Sequence, residues 1–193
     1  MEKIQLIYES QCSVQSDINE HLPTLLNYAK ECNHITEMGV RWVSSTWPLI
    51  LSKPKKMISY DIVKNPNINE VINLTREYGI NYQFVETDVL KLEIEETELL
   101  FIDTLHTYNQ LICELDLHSE KCTKYIILHD TTAFGEVDEV IYNHASSEIK
   151  NVQKFKEGLW NAVLDFLNSE KGKNWEIKER FTNNNGLTIL KRK

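Results

Sequence analysis

Four cysteines are all this 193-residue chain has, and Cys12, Cys32, Cys113 and Cys122 form no C-x-x-C pair and accompany no paired-histidine motif. A structural zinc site is therefore not expected, and free thiols in a reducing compartment are. No apolar run approaches the roughly 20 residues that a membrane-spanning helix needs. Nothing at the amino terminus reads as a secretory signal, because Met1-Glu2-Lys3-Ile4 leads into a short apolar stretch that Glu9 and Ser10 interrupt. A cytoplasmic protein without a membrane span is the expectation. Positive charge is scarce as well. Lys and Arg number 21 against 29 Asp and Glu, a formal net charge of -8. Nucleic-acid binding needs a basic face, so no nucleic-acid partner is expected, and the tail Lys191-Arg192-Lys193 is too short to change that. Internal repeats and low-complexity tracts are absent. So are a G-x-S-x-G elbow and a G-x-G-x-x-G turn, which sets aside an α/β-hydrolase and a dinucleotide-dependent oxidoreductase.

What is present is ordinary globular material, 41% hydrophobic and 26% charged, in a length that suits one domain over residues 1–193. Its periods alternate. Helical spacing covers residues 15–31, with Ser16-Asp17 as a cap, and then 44–51, 68–78 with Gly79 as C-cap, 108–121 and 155–167. Short apolar runs predict strands at 34–37, 57–62, 82–85, 99–103 and 125–130. Alternation of this kind predicts a Rossmann-like, doubly wound α/β fold with a mostly parallel sheet. Two late strands, 175–181 and 187–190, flank Thr182-Asn183-Asn184-Asn185-Gly186, a spacer that predicts an antiparallel hairpin. Residues 131–155 lack a period and follow a strand end, as a lid or substrate segment does.

Ligands of doubly wound sheets bind just outside the carboxyl ends of the strands. Acidic residues stand at or near those ends: Glu37, Asp61, Asp88, Asp103 and Asp130. Each alone reads equally as a helix or turn cap. Gly39, directly after the first strand, lets backbone approach a ligand. Ser44, Ser45 and Thr46 cap the following helix or bind polar groups. Asp61, about 20 residues beyond Gly39, suits a pair of ribose hydroxyls. His106 follows Asp103 by three residues, and His129 precedes Asp130. Histidines His21, His34, His118 and His144 have no partner in the pattern and read as structural or solvated, with His144 a lid contact.

The E-x-G of Glu37 and Gly39, the F-I-D-x-x-H-x-Y run from Phe101 to Tyr108 and the H-D-T of 129–131 together resemble class I S-adenosylmethionine-dependent O-methyltransferases of the sugar and natural-product group. Macrolide-sugar O-methyltransferases and the cephalosporin-hydroxylase-like group are its relatives. The resemblance covers residues 15–190. It implies that Glu37, Gly39, Ser44, Thr46, Asp61, Asp88 and Asp103 bind S-adenosylmethionine, with Asp88 toward the adenine amino group. It implies a divalent cation, Mg²⁺ or Mn²⁺, on Asp103, Asp130 and His129, and His106 as general base toward a sugar hydroxyl of a small molecule or glycan. The chain departs from the group where His129 replaces the first of two adjacent acids; a metal ligand, a second base and a hydrogen-bond anchor are all open to it. A noncatalytic nucleotide-binding module of the same fold, or a methyltransferase acting on a non-sugar small molecule, is the alternative. The chain's shortness also fits one piece of a larger glycan-modifying polypeptide or pathway.

Overall fold

A computed structural model describes residues 1–140 and 156–193. Its centre is made by the two apolar runs. Leu99, Phe101, Tyr125 and Ile127 point to one face of the sheet, and Leu100, Ile102, Ile126 and Leu128 to the other. Strands covered on both faces read as continuous hydrophobic runs, because neither side meets water.

The described elements run α1 (Glu2–Ser13), α2 (Leu22–Ala29), β1 (His34–Met38), α3 (Thr46–Leu51), β2 (Lys56–Asp61), α4 (Ile68–Glu77), β3 (Tyr82–Glu86), β4 (Thr97–Ile102), α5 (Tyr108–His118), β5 (Cys122–His129), α6 (Leu159–Asn168), β6 (Trp175–Phe181) and β7 (Leu187–Arg192). The seven strands lie in the order β3-β2-β1-β4-β5-β7-β6. β1 to β5 are parallel, and β7 runs antiparallel to both β5 and β6. Helices α1 to α4 back one face, α5 and α6 the other. This is the expected doubly wound sheet with its terminal hairpin.

Register sets the site. Val85, Tyr60, Met38, Ile102 and Leu128 pair across five strands. The next residues, Glu86, Asp61, Gly39, Asp103 and His129, therefore emerge in one row along the carboxyl edge. The strand order reverses between β1 and β4, the switch point where a crevice opens.

Three elements differ from the sequence pattern. α1 has no clear apolar face in sequence, since only Ile4 and Tyr8 of its residues are buried. The helix expected over 15–31 starts late. Ser16 Oγ accepts from Asn19 N at 3.0 Å and Asn19 Oδ1 from Ser16 N at 3.1 Å, a reciprocal cap that opens a single 3-10 turn before α2, which carries Pro23 in its first turn. α5 ends at His118, and residues 119–121 form another short turn. Of the segment expected as a lid, residues 131–140 are described; the remainder, with His144 and the first residue of the helix expected over 155–167, lies outside the described residues. Among the described residues no helix is long and apolar enough to cross a membrane.

Candidate active site

Gly39 has its reason in the neighbouring strand. Its φ is +83°, and a Cβ there would lie 1.9 Å from the Asp103 carbonyl oxygen. The backbones after β1 and β4 thus meet at van der Waals distance, tied by Asp103 N donating to Met38 O at 2.8 Å. The close approach expected toward a ligand is first of all an approach to this second turn. Beyond it the backbone stays left-handed at Arg41 (φ 41°) and Val43 (φ 65°), without glycine at either position. L residues pay roughly 1–2 kcal/mol for that conformation.

Asp61 holds this turn. Its Oδ2 accepts from Val40 N at 2.8 Å and Arg41 N at 3.0 Å, and its Oδ1 from Val63 N at 2.9 Å. The side chain still lines a cavity of about 660 Å³, together with Gly39, Asp88, Asp103 and His106. Asp88 also caps the turn after β3, accepting from Leu90 N at 3.0 Å. Cap and pocket wall, which sequence alone poses as rivals, coexist in both residues.

Glu37, Ser44 and Thr46 are not brought to the cavity wall. The Glu37 carboxyl is wholly buried behind the turn and accepts from Ser45, Thr46 and Ser59 hydroxyls at 2.5–3.1 Å. Burial pushes its pKa up to about 7, with the three hydroxyls pulling the other way. Ser44 donates to Gln11 Oε1 at 3.0 Å and anchors the turn to α1. These residues build the floor under the site. Strand pleat and loop direction, invisible in one dimension, decide this.

At the β4 and β5 ends two imidazoles face the same two carboxylate oxygens. His106 Nε2 lies 3.2 Å from Asp103 Oδ1 and 2.9 Å from Asp130 Oδ2. His129 Nδ1 lies 3.4 and 3.2 Å from those atoms. Asp130 adopts φ 59°, a strained conformation that aspartate tolerates better than most residues and that aims its carboxylate inward. His129 Nε2 donates to the Asp17 carbonyl at 3.1 Å. With Nε2 donating to that carbonyl, Nδ1 is the atom turned to the two acids: it carries the second proton of a charged imidazole, and would offer a lone pair only with a cation between them. Nδ1 makes no aligned hydrogen bond, and buried Asp130 Oδ1 has no partner either.

Burial opposes charge on both histidines, but Asp103 and Asp130 outweigh it: His106 is held up at about 10 and His129 well above its ordinary value. The same contacts overcome burial to bring Asp103 down to about 2 and to lower Asp130. A cluster so arranged needs either extra protons or a cation between its atoms. Asp103, His129 and Asp130 each offer one ligand atom within 4.8 Å of the others. Two carboxylates and one imidazole suit a divalent ion such as Mg²⁺ or Mn²⁺, and a hydrogen bond from the far nitrogen to a carbonyl is the usual way a ligating histidine is oriented.

Sequence reasoning passes over two contributors. Glu139 Oε2 approaches His106 Nδ1 at 2.8 Å, off the N–H axis and so an ion-pair contact, while Glu139 N donates to His106 O at 2.8 Å. Phe134 stacks on the His106 ring at 4.8 Å between centroids. Both come from the segment without periodicity, where no signal marks one residue above another. The Asp17 carbonyl is likewise unreadable, since backbone groups carry no sequence identity. His21 and His118 are buried and bonded to carbonyls of Asn183 and Val89, as structural histidines are.

No family model matches the sequence, and no curated protein matches it. Solved structures match its fold. N-methyltransferase NodS from Bradyrhizobium japonicum WM9 is 14% identical with a TM-score of 0.61, over 91% of this chain and 96% of that one. A putative caffeoyl-CoA O-methyltransferase from Staphylococcus aureus is 13% identical with a TM-score of 0.61, over 93% and 85%. The SAH-bound methyltransferase PaMTH1 from Podospora anserina is 12% identical with a TM-score of 0.56, over 98% and 87%. Ribosomal RNA methylases share the fold too. The chain has the class I methyltransferase fold: a Rossmann-like core closed by antiparallel terminal strands. At such identities the likeness is one of fold, and the acceptors of these proteins differ widely.

Proposed function

We propose that the protein is an S-adenosylmethionine-dependent O-methyltransferase acting on a sugar hydroxyl of a small molecule or glycan. The observation that carries this reading is one cavity that joins Asp61 and Asp88, at the β2 and β3 ends, to Asp103 and His106 beside the acid–imidazole cluster. Its volume falls within the roughly 300–1,000 Å³ of small-molecule sites. Bound there, the cofactor supplies a methyl group on a sulfonium, ready for in-line displacement. Asp61 takes the ribose hydroxyls with acceptor capacity left after its amide bonds, since each carboxylate oxygen has two lone pairs. Asp88 lies toward the base. Asp103, at the switch point, would face the reacting end of the cofactor.

Asp103, Asp130 and His129 would hold the divalent cation, which lowers the pKa of a hydroxyl and orients it. His106 Nε2, beside the same two carboxylates, would take the hydroxyl proton, with Glu139 at the opposite nitrogen keeping the ring in place. A sugar acceptor is supported by the resemblance of the 101–108 and 129–131 motifs, and by a net charge of -8 that disfavours a nucleic-acid acceptor.

The test is methyl transfer to rhamnose-, fucose- and hexose-containing acceptors, with Mg²⁺ or Mn²⁺ and then with chelator, beside calorimetry of S-adenosylmethionine. Asp130→Asn suits the left-handed backbone at 130 and leaves the fold intact, yet binds Mn²⁺ at least about tenfold more weakly and loses activity with it. Full activity in chelator would remove the cation from the mechanism. Absence of cofactor binding by the wild type would sink the enzyme reading.

A further inference from the structure

We propose that Arg41 captures the carboxylate at the amino-acid end of S-adenosylmethionine, with Asp17 beside it for the ammonium group; this rests on the cofactor reading above. Three observations converge on it. The first is conformational. The turn after β1 is left-handed at residues 39, 41 and 43, and only the first is glycine. Asp61 pins the Arg41 amide at 3.0 Å and so keeps the turn in place. A long cationic side chain at a position that glycine would fill without strain is a local conflict, and such conflicts persist where the side chain has work to do.

The second is placement. Arg41 and Asp17 both line the cavity and meet there, Nη1 to Oδ2 at 3.5 Å. The Asp17 carbonyl in turn receives His129 Nε2. The guanidinium thus lies on the β5 side, away from Asp61 and Asp88 on β2 and β3. A cofactor with its ribose at Asp61 and its sulfonium at Asp103 extends its amino-acid arm toward that side.

The third is charge. Asp17, Asp61, Asp88, Asp103 and Glu139 line the cavity, and its lysine and arginine are Lys64, on the loop after β2, and Arg41. A zwitterion needs a cation for its carboxylate and an acid for its amine, side by side, and Arg41 with Asp17 is such a pair. Its side chains are 70% and 47% exposed. An ion pair so open to solvent gives little stability and exchanges partners readily. A guanidinium grips a carboxylate with two parallel N–H bonds.

The experiment compares wild type and Arg41→Gly by calorimetry with two ligands, S-adenosylmethionine and 5′-methylthioadenosine, which lacks the amino-acid end. Glycine accepts the backbone angle and keeps the amide that Asp61 binds. The affinity for S-adenosylmethionine should fall about 10- to 100-fold, that for 5′-methylthioadenosine should not change, and the melting midpoint should not drop. Arg41→Lys should recover part of the loss. An equal loss for both ligands, or none for either, overturns the assignment of Arg41 while the cofactor reading stands. If the wild type binds neither ligand, the cofactor reading fails and takes Arg41's role with it.

Discussion

Asp61→Ala tests how far this carboxylate holds the turn after β1, beside the ribose contact proposed for it. Three backbone amides lose their acceptor: Val40, Arg41 and Val63, at 2.8, 3.0 and 2.9 Å. Hydrogen bonds to a charged group contribute about 1.5–3 kcal/mol each where water cannot replace them. This carboxylate is partly exposed, so water takes over much of each bond, and a total of about 2–4 kcal/mol is expected. With a urea m-value of about 2 kcal/mol/M, the unfolding midpoint should move down by about 1–2 M at unchanged slope. The same loss frees the left-handed turn, so S-adenosylmethionine affinity should fall even at temperatures where the variant stays folded. Arg41→Gly in the Asp61→Ala background should return about 1 kcal/mol, because glycine takes the left-handed angle at 41 without the strain that the Asp61 bonds no longer offset. Equilibrium urea unfolding of the four proteins of this cycle gives the numbers. A midpoint for Asp61→Ala equal to the wild type's would show that the carboxylate does not hold the turn, and the reasoning about strain would fall with it.

Gly39→Ala should cost about 3 kcal/mol or more, a fall in Tm of roughly 6–12 °C, because its Cβ would stand 1.9 Å from the Asp103 carbonyl oxygen; a variant that melts with the wild type refutes the close approach. Glu37 has a pKa pushed by burial to about 7, against 4.5 when free. The folded state holds that proton more tightly, so its contribution to stability is complete below pH 4.5 and is lost as pH rises through 7. Glu114, also buried and also raised to about 7, acts in the same direction. Glu37→Gln should therefore flatten, without abolishing, the decline in Tm between pH 4.5 and 6.5, and parallel curves for variant and wild type would show that Glu37 is ionised in the fold.

The chain by itself determined the sheet and the sites at its edge. Leu99 to Ile102 and Tyr125 to Leu128 are apolar without interruption because both faces of a central parallel strand are covered, and that leaves a readable mark. Asp103, His129 and Asp130 are legible for a related reason: a residue at or directly after the end of such a run is forced to the carboxyl edge, and Asp61, Asp88 and His106 lie at or within four residues of a strand end. The Asn184-Asn185-Gly186 turn is legible because all three adopt positive φ, which few residues accept. Only tertiary structure decided which way the side chains near those ends turn and what meets them there. Glu37 folds inward onto hydroxyls of Ser45, Thr46 and Ser59, two of them on the next loop and helix and the third on β2. Glu139 reaches His106 across 33 residues, and the Asp17 carbonyl orients the His129 ring across 112. Local periodicity reports the burial of a segment's own faces. It carries no record of a distant carboxylate or of a backbone oxygen, which every residue shares, and those are what turn a row of strand ends into a site.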